Sequence, residues 1–326
     1  MTIDLIKRAA ERMARERMSA AFELPAEPIA PPRGPGLGAG LGFGTRPGAG
    51  REEEGWFGRE RVDFAVPGAA RPDPFGRAVR RIALDRARLS AAGILTPDAE
   101  ATRLVEELRI LKRPIVRTAM TAGEEPLKAA NLVMVTSAKP GEGKSFLAAN
   151  LAMSVAAEKN LRALLIDTDI QHPDLSRLFG AEREPGLIDF LADPGLELAD
   201  IVLQTEFENL ALIPAGAARD HAPELLASRR MSVLAETLAA DAPCITIFDA
   251  APLLTCSEPA VLAFHVGQAV LLVEAERTGR RAVEEALTHL RPCPHVGVVL
   301  NKSPAWPGSD RFGLYGRDGQ PKAMGE

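Results

Sequence analysis

One tyrosine, Tyr315, stands in a chain of 326 residues, and there are only three cysteines, Cys244, Cys256 and Cys293. An odd cysteine count with no C-x-x-C spacing excludes a disulfide framework and a cysteine-built zinc site, and it fits a reducing cytoplasm. No apolar run approaches the roughly 20 residues that cross a bilayer, and the N-terminus has no signal-peptide core, so membrane contact is expected only through a partner or a surface helix. Positive charge is not in excess either. The 39 Lys and Arg against 44 Asp and Glu give a net charge of −5, which excludes a generally basic nucleic-acid binder. What is present is ordinary globular usage, 46 % hydrophobic and 25 % charged, in a chain long enough for one large α/β domain or two small ones.

The chain reads in four parts. In residues 1–24, Ile3, Ile6, Ala10, Met13, Ala14, Met18 and Phe22 recur at helical spacing, which predicts an amphipathic helix that docks on a domain or partner. Residues 25–76 are dense in Pro and Gly and cannot build a packed core, so they read as a flexible linker. Helical patterning returns, discontinuously, over 77–95. A capped helix follows, with Thr96 as N-cap, Pro97 in its first turn, and an apolar stripe through Leu104, Leu108 and Leu111.

From residue 131 the pattern is strand, turn, helix, repeated. Strands are expected at 131–136, 162–167, 210–214, 244–249, 268–273 and 296–300, mostly as unbroken apolar runs of the kind buried on both faces of a parallel sheet. Helices are expected at 145–158, 222–240, 258–265 and 277–290. The architecture this implies for 77–305 is a P-loop, doubly wound, mostly parallel α/β fold with helices on both faces. Residues 306–326 are Gly/Pro-rich and are expected to form a flexible tail that carries Tyr315.

The stretch "SAKPGEGKS" at 137–145 joins an apolar strand to a helix and fits G-x-x-x-x-G-K-[ST] with Ala138 in place of the first glycine. Gly141 and Gly143 let backbone N–H groups converge on phosphate oxygens without Cβ clashes. Lys144 is expected to reach the β- and γ-phosphates, the Ser145 hydroxyl to ligate Mg²⁺, and the helix to present its positive end. The expected cofactor contacts are Lys139, Pro140, Gly141, Glu142, Gly143, Lys144, Ser145 and Phe146. Asp167 and Asp169 close the next strand at the carboxyl edge of the sheet, where one could serve the metal shell and the other accept a proton, or both could merely cap the next helix. Asp249 ends a third strand in the Walker B position. Asn301 ends the last one, where its amide could read a base edge.

Taken in order, "VTSAKPGEGKS", "LLIDTDIQHPDL", "FDAAPLL", "AVLLVEAERT" and "VVLNK" resemble the bacterial tyrosine kinases, in particular the exosortase-associated autokinases of exopolysaccharide loci. The resemblance covers about residues 80 to 303 and the first helix. It implies an ATP- and Mg²⁺-dependent protein-tyrosine autokinase that acts in exopolysaccharide synthesis. It further implies a cytoplasmic protein, peripheral to the inner membrane through a membrane polysaccharide co-polymerase or chain-length regulator. Lys144, Asp167 and Asp169 are then catalytic, with Asp167 orienting or deprotonating the acceptor tyrosine. Ser145, Asp169 and Asp249 serve Mg²⁺, and Tyr315 is the phosphoacceptor in a neighbouring subunit. Glu106, Arg109 and Lys112 in "EELRILK" resemble an oligomer contact of a homo-oligomer.

Three departures from that family stand out. Gln171 occupies a position normally held by Arg, Asp249-Ala-Ala-Pro252 replaces D-x-P-P, and the usual tyrosine cluster is reduced to Tyr315. Multiple tyrosine phosphorylation of the tail is thereby excluded. Two other readings stay open: a non-kinase ATPase switch, in which Lys139 stands where partitioning ATPases carry a signature lysine, and a nucleotide-binding scaffold for the membrane co-polymerase.

Overall fold

The computed structural model describes residues 80–97, 102–120, 129–219, 221–241 and 243–303. These fall within the second of two units into which the chain divides, 66–326. The helix expected over 1–24, the linker over 25–76 and the tail with Tyr315 lie outside the described residues.

Eight strands form one sheet: β1 (Arg80–Arg81), β2 (Leu132–Ser137), β3 (Arg162–Asp167), β4 (Leu203–Gln204), β5 (Leu210–Ile213), β6 (Cys244–Asp249), β7 (Gln268–Glu274) and β8 (His295–Asn301). Their order is β1-β4-β5-β3-β6-β2-β7-β8, and every pairing is parallel except that of β4 with β5. Ten helices are described: α1 (Arg86–Ala91), α2 (Arg103–Met120), α3 (Lys144–Ala156), α4 (Asp174–Leu178), α5 (Leu187–Ala192), α6 (Leu198–Ile201), α7 (Ala222–Leu226), α8 (Arg229–Ala239), α9 (Glu258–Leu262) and α10 (Arg280–His289).

The central strands are buried along their length, which is why they read as continuous apolar runs rather than alternating ones. Alternate residues of each strand serve opposite cores. Met134, Ile166, Phe248 and Leu271 pack with Ile188, Leu226, Leu234, Leu262 and Ala286 on one face. Val133, Val135, Leu165, Ile247 and Leu272 pack with Leu89, Leu108, Ile115, Leu151 and Met153 on the other. At the carboxyl edge the pairing of β3 with β6 sets Asp167 directly beside Asp249, and β2 delivers Ser137 to the same edge.

Four expectations are corrected. Residues 80–81 are strand rather than helix, because the segment pairs with β4 and Ile82 N donates to Gln204 O at 3.0 Å. The helix of this region, α1, starts only at Arg86, where the Asp85 carboxylate accepts from Arg88 N. The next helix begins at Arg103, with Thr102 Oγ1 accepting from Val105 N at 3.3 Å, so Thr102 and not Thr96 supplies its cap. The helix expected over 222–240 is two, because Ser228 caps a new helix, its hydroxyl accepting from Met231 N at 3.3 Å.

Candidate functional site

The loop between β2 and α3 adopts its shape through two glycines. Gly141 has φ +82° and Gly143 φ +99°, left-handed values that strain any side chain. At Gly143 space forbids one as well, since a Cβ would lie 2.5 Å from Asn301 Nδ2. The loop carbonyls are held from outside. Ser137 Oγ donates to Lys139 O at 2.8 Å, Lys302 Nζ to Gly141 O at 2.7 Å, and Asn301 Nδ2 to Glu142 O at 2.8 Å. Glu142, only 2 % exposed, accepts from Lys139 N at 2.9 Å and from the Thr278 hydroxyl. Carbonyls tied on one side leave the amide N–H groups on the other, beside the positive end of a 13-residue helix. That is an anion-binding arrangement.

Lys144 opens α3, and its Nζ lies 2.8 Å from Asp169 Oδ2. Burial alone would lower its pKa, but the carboxylates of Asp249, Asp169 and Asp174 outweigh burial and hold the ammonium above its ordinary value. Asp167 is wholly buried. Its Oδ2 accepts from Ser176 N at 2.8 Å and Ser176 Oγ at 2.7 Å, and its Oδ1 accepts from Asp169 N at 3.1 Å. Desolvation pushes its carboxyl up to about 6 despite those donors. Asp169 Oδ1 accepts from His172 N at 3.1 Å.

Asp249 differs from both. It is completely buried, and neither carboxylate oxygen finds a hydrogen-bond partner of ordinary geometry. Burial, then the neighbouring charge of Asp167, push its pKa well above the carboxylate range, with only Lys144 and the Ser145 hydroxyl pulling the other way. A buried carboxylate without partners is costly unless something cationic joins it. Among the described residues no three His, Cys, Asp or Glu side chains converge on one point, so the protein alone builds no metal cage. One hydroxyl and one unpartnered carboxylate instead suit Mg²⁺, which keeps most of its shell as water and phosphate oxygen. The residues fit that ion.

The structure thus brings Gly141, Glu142, Gly143, Lys144, Ser145, Asp167, Asp169 and Asp249 to one edge of the sheet. Lys139 and Pro140 are exposed on the loop. The Phe146 ring turns away from the loop: a Cβ on Gly93 would meet it at 3.2 Å. Asn301 is turned onto the loop backbone. Its Nδ2 is spent on Glu142 O and its Oδ1 accepts from Lys302 N at 2.9 Å. Lys112 is not part of an exposed contact with Glu106 and Arg109. It is buried, donating to Ser154 O at 2.8 Å and Glu158 Oε1 at 2.7 Å, while Glu106 and Arg109 pair with each other on the exposed side. Tyr315 lies outside the described residues. Sequence reasoning passed over Ser176, Thr278 and Lys302. Lys302 carried a signal, since it closes the same "VVLNK" phrase as Asn301, whereas Ser176 and Thr278 carried none until the chain folded.

A family model described as ParA, NUBPL iron-transfer P-loop NTPase, matches residues 128–210. The chain is 32 % identical over 186 residues to tyrosine-protein kinase YwqD of Bacillus subtilis strain 168, covering 56 % of this chain and 77 % of that protein. It is 32 % identical over 221 residues to EpsB of Ralstonia solanacearum, which is 66 % of this chain but 28 % of EpsB, so the chain spans little more than a quarter of that relative's length. The kinase domain of Escherichia coli tyrosine kinase ETK superposes with a TM-score of 0.55 at 24 % identity, covering 69 % of this chain and 95 % of that one, a likeness of fold.

Proposed function

The chain belongs to the bacterial tyrosine kinases, and from that premise we propose that it is an ATP-dependent protein-tyrosine autokinase serving exopolysaccharide synthesis or export. The observation that carries this is the acidic edge around the loop lysine: Lys144 held by Asp169, with the unpartnered Asp249 and the base-poised Asp167 beside it.

In this reading the loop N–H groups and Lys144 bind and neutralise the β- and γ-phosphates of ATP, which is most of what phosphoryl transfer asks of a protein. Ser145 and Asp249 would hold Mg²⁺, with Asp169 in its shell, and the ion would supply further charge neutralisation at the phosphates. Asp167 accepts the proton of the attacking hydroxyl, since a carboxyl near 6 is ionised at neutral pH yet basic enough to serve. Its Oδ1, which takes only one hydrogen bond, is the oxygen with room for that role. Because the carboxylate is closed off in this arrangement, the acceptor segment must displace the turn after β3 to reach it.

The acceptor is Tyr315 of a neighbouring copy, one phosphate per chain. Glu106 and Arg109, exposed on α2, contribute to a homo-oligomer, and a membrane polysaccharide co-polymerase or chain-length regulator acts as activator. Following the resemblance, we place the protein in the cytoplasm, at the inner membrane through that partner; among the described residues no helix is long and apolar enough to cross a membrane. A second reading, an ATPase switch without tyrosine transfer, has one observation in its favour: the Lys139 side chain is exposed on the loop and makes no hydrogen bond or ion pair among the described residues.

Phosphoamino-acid analysis after incubation with MgATP separates the two. Phosphotyrosine in wild type and none in Lys144→Met supports the kinase. Phosphate release without phosphotyrosine, lost in Lys139→Ala, moves the assignment to the switch.

A further inference from the structure

Of the side chains that touch the phosphate loop and that the proposed chemistry leaves unused, Lys302 is the charged one. It follows β8 directly and takes φ +53°, a left-handed value that costs a non-glycine residue on the order of 1 kcal/mol. That turn brings its side chain back over the loop. Nζ donates to Gly141 O at 2.7 Å and to Glu274 Oε2 at 3.2 Å. Glu274, at the end of β7, is further fixed by Arg277 Nη1 at 3.1 Å. Another side chain is held left-handed in the same connection, Glu276 at φ +63°, two residues from Thr278, whose hydroxyl reaches Glu142.

The peptide joining Gly141 to Glu142 is the one this lysine restrains. Gly141 has no Cβ and takes φ +82°, so the peptide that follows it has a backbone freedom other residues lack. An ammonium on its carbonyl does two things. It fixes the carbonyl outward, so the Glu142 N–H stays on the phosphate side. It also polarises the peptide, which makes that N–H a stronger donor toward an anion. Asn301 does the same, more weakly, for the next peptide through Glu142 O.

We propose that Lys302 is a positioning residue of the nucleotide site, oriented by Glu274, that holds the phosphate loop in its anion-binding form before nucleotide arrives. The proposal rests on the nucleotide-binding reading of the loop. A loop that is only partly in its competent form binds with an affinity reduced by that fraction, so the effect falls on binding rather than on the chemical step.

The test is equilibrium binding of a fluorescent ATP analogue with Mg²⁺ to the full chain. Lys302→Met is expected to weaken binding about tenfold, the value of one charge-assisted hydrogen bond, with the melting temperature of the nucleotide-free protein nearly unchanged. Lys302→Arg should restore most of the loss. Glu274→Gln should weaken binding less, and the double variant Lys302→Met/Glu274→Gln should bind no more weakly than Lys302→Met alone, because Glu274 acts through the lysine. Lys302→Met binding within about twofold of wild type, while Lys144→Ala abolishes binding, would overturn this inference and leave the nucleotide site standing. Additive losses in the double variant would overturn the role given to Glu274. No binding by wild type at all would overturn the nucleotide-site reading, and this inference with it.

Discussion

Asp249 sits at the centre of the sheet edge with no hydrogen-bond partner of ordinary geometry on either oxygen, and its pKa is raised first by burial and then by Asp167. A group kept for function in that condition costs stability. Asp249→Asn is therefore expected to raise the stability of the nucleotide-free protein by on the order of 1 kcal/mol, or a few degrees of melting temperature, while nucleotide turnover falls to background. Thermal unfolding without ligand checks this, and a lower melting temperature would contradict it.

Asp167 gives a pH dependence whose sign follows from its shift. Its folded-state pKa, about 6, lies above the ordinary carboxylate value of 3.8, so the folded protein holds the proton more tightly than the unfolded chain. The stabilisation is fully present below 3.8 and is lost as pH rises through about 6. The stability of wild type relative to Asp167→Asn should therefore decline across that window when measured by urea unfolding at stepped pH. A flat difference would show that the carboxyl does not titrate there. The activity of wild type should move the other way, rising as Asp167 ionises.

Among the elements, α2 and α3 show what patterning tells and what it omits. The apolar stripe of α2 was legible and does pack, through Leu108 and Ile115. Its neighbour Lys112 read as a surface charge, because sequence assigns a residue to a helix and not to the carbonyl it will meet. Here the ammonium ties α2 to Ser154 O and Glu158 near the end of α3. Lys112→Met should cost about 1–3 kcal/mol in urea unfolding, by leaving the Ser154 carbonyl without its donor. Arg109→Ala, on the exposed side, should cost less than about 0.5 kcal/mol.

The sheet was legible for a physical reason. Strands buried on both faces must be apolar throughout, so β2, β3, β5, β6 and β7 announced themselves, as did the glycine turn into α3; β8 has the same apolar run although it lies half-exposed at the sheet edge. The pieces that were not legible, β1, β4 and the short helices α4, α5 and α6, are two to six residues long and hold no full period. That Asp167 and Asp249 share one edge was legible because they end neighbouring parallel strands. The bond from the Asn301 amide to the loop backbone was not legible, being a contact between residues 159 positions apart.

At the scale of the whole molecule, one tyrosine constrains the biology more than any single contact. On the proposed reading, phosphorylation of Tyr315 alone would be a two-state mark and not a graded one. On the proposed reading the N-terminal segment would serve docking, through a flexible linker, while the described residues would carry the nucleotide chemistry. Transfer between copies would make activity depend on assembly, and the phosphotyrosine yield per chain should then rise with protein concentration.

The most direct test mixes two variants with MgATP. One is Lys144→Met, which keeps Tyr315 but lacks the phosphate lysine. The other is Tyr315→Phe, which keeps the site but lacks the acceptor. Intact-mass and peptide mass spectrometry then read the Lys144→Met chain. The account predicts a single phosphate on its Tyr315, absent when either variant is incubated alone. An unmodified Lys144→Met chain in the mixture, under conditions where wild type becomes phosphorylated on Tyr315, would contradict transfer between copies. Wild type that hydrolyses ATP and never acquires phosphotyrosine would contradict the kinase assignment itself.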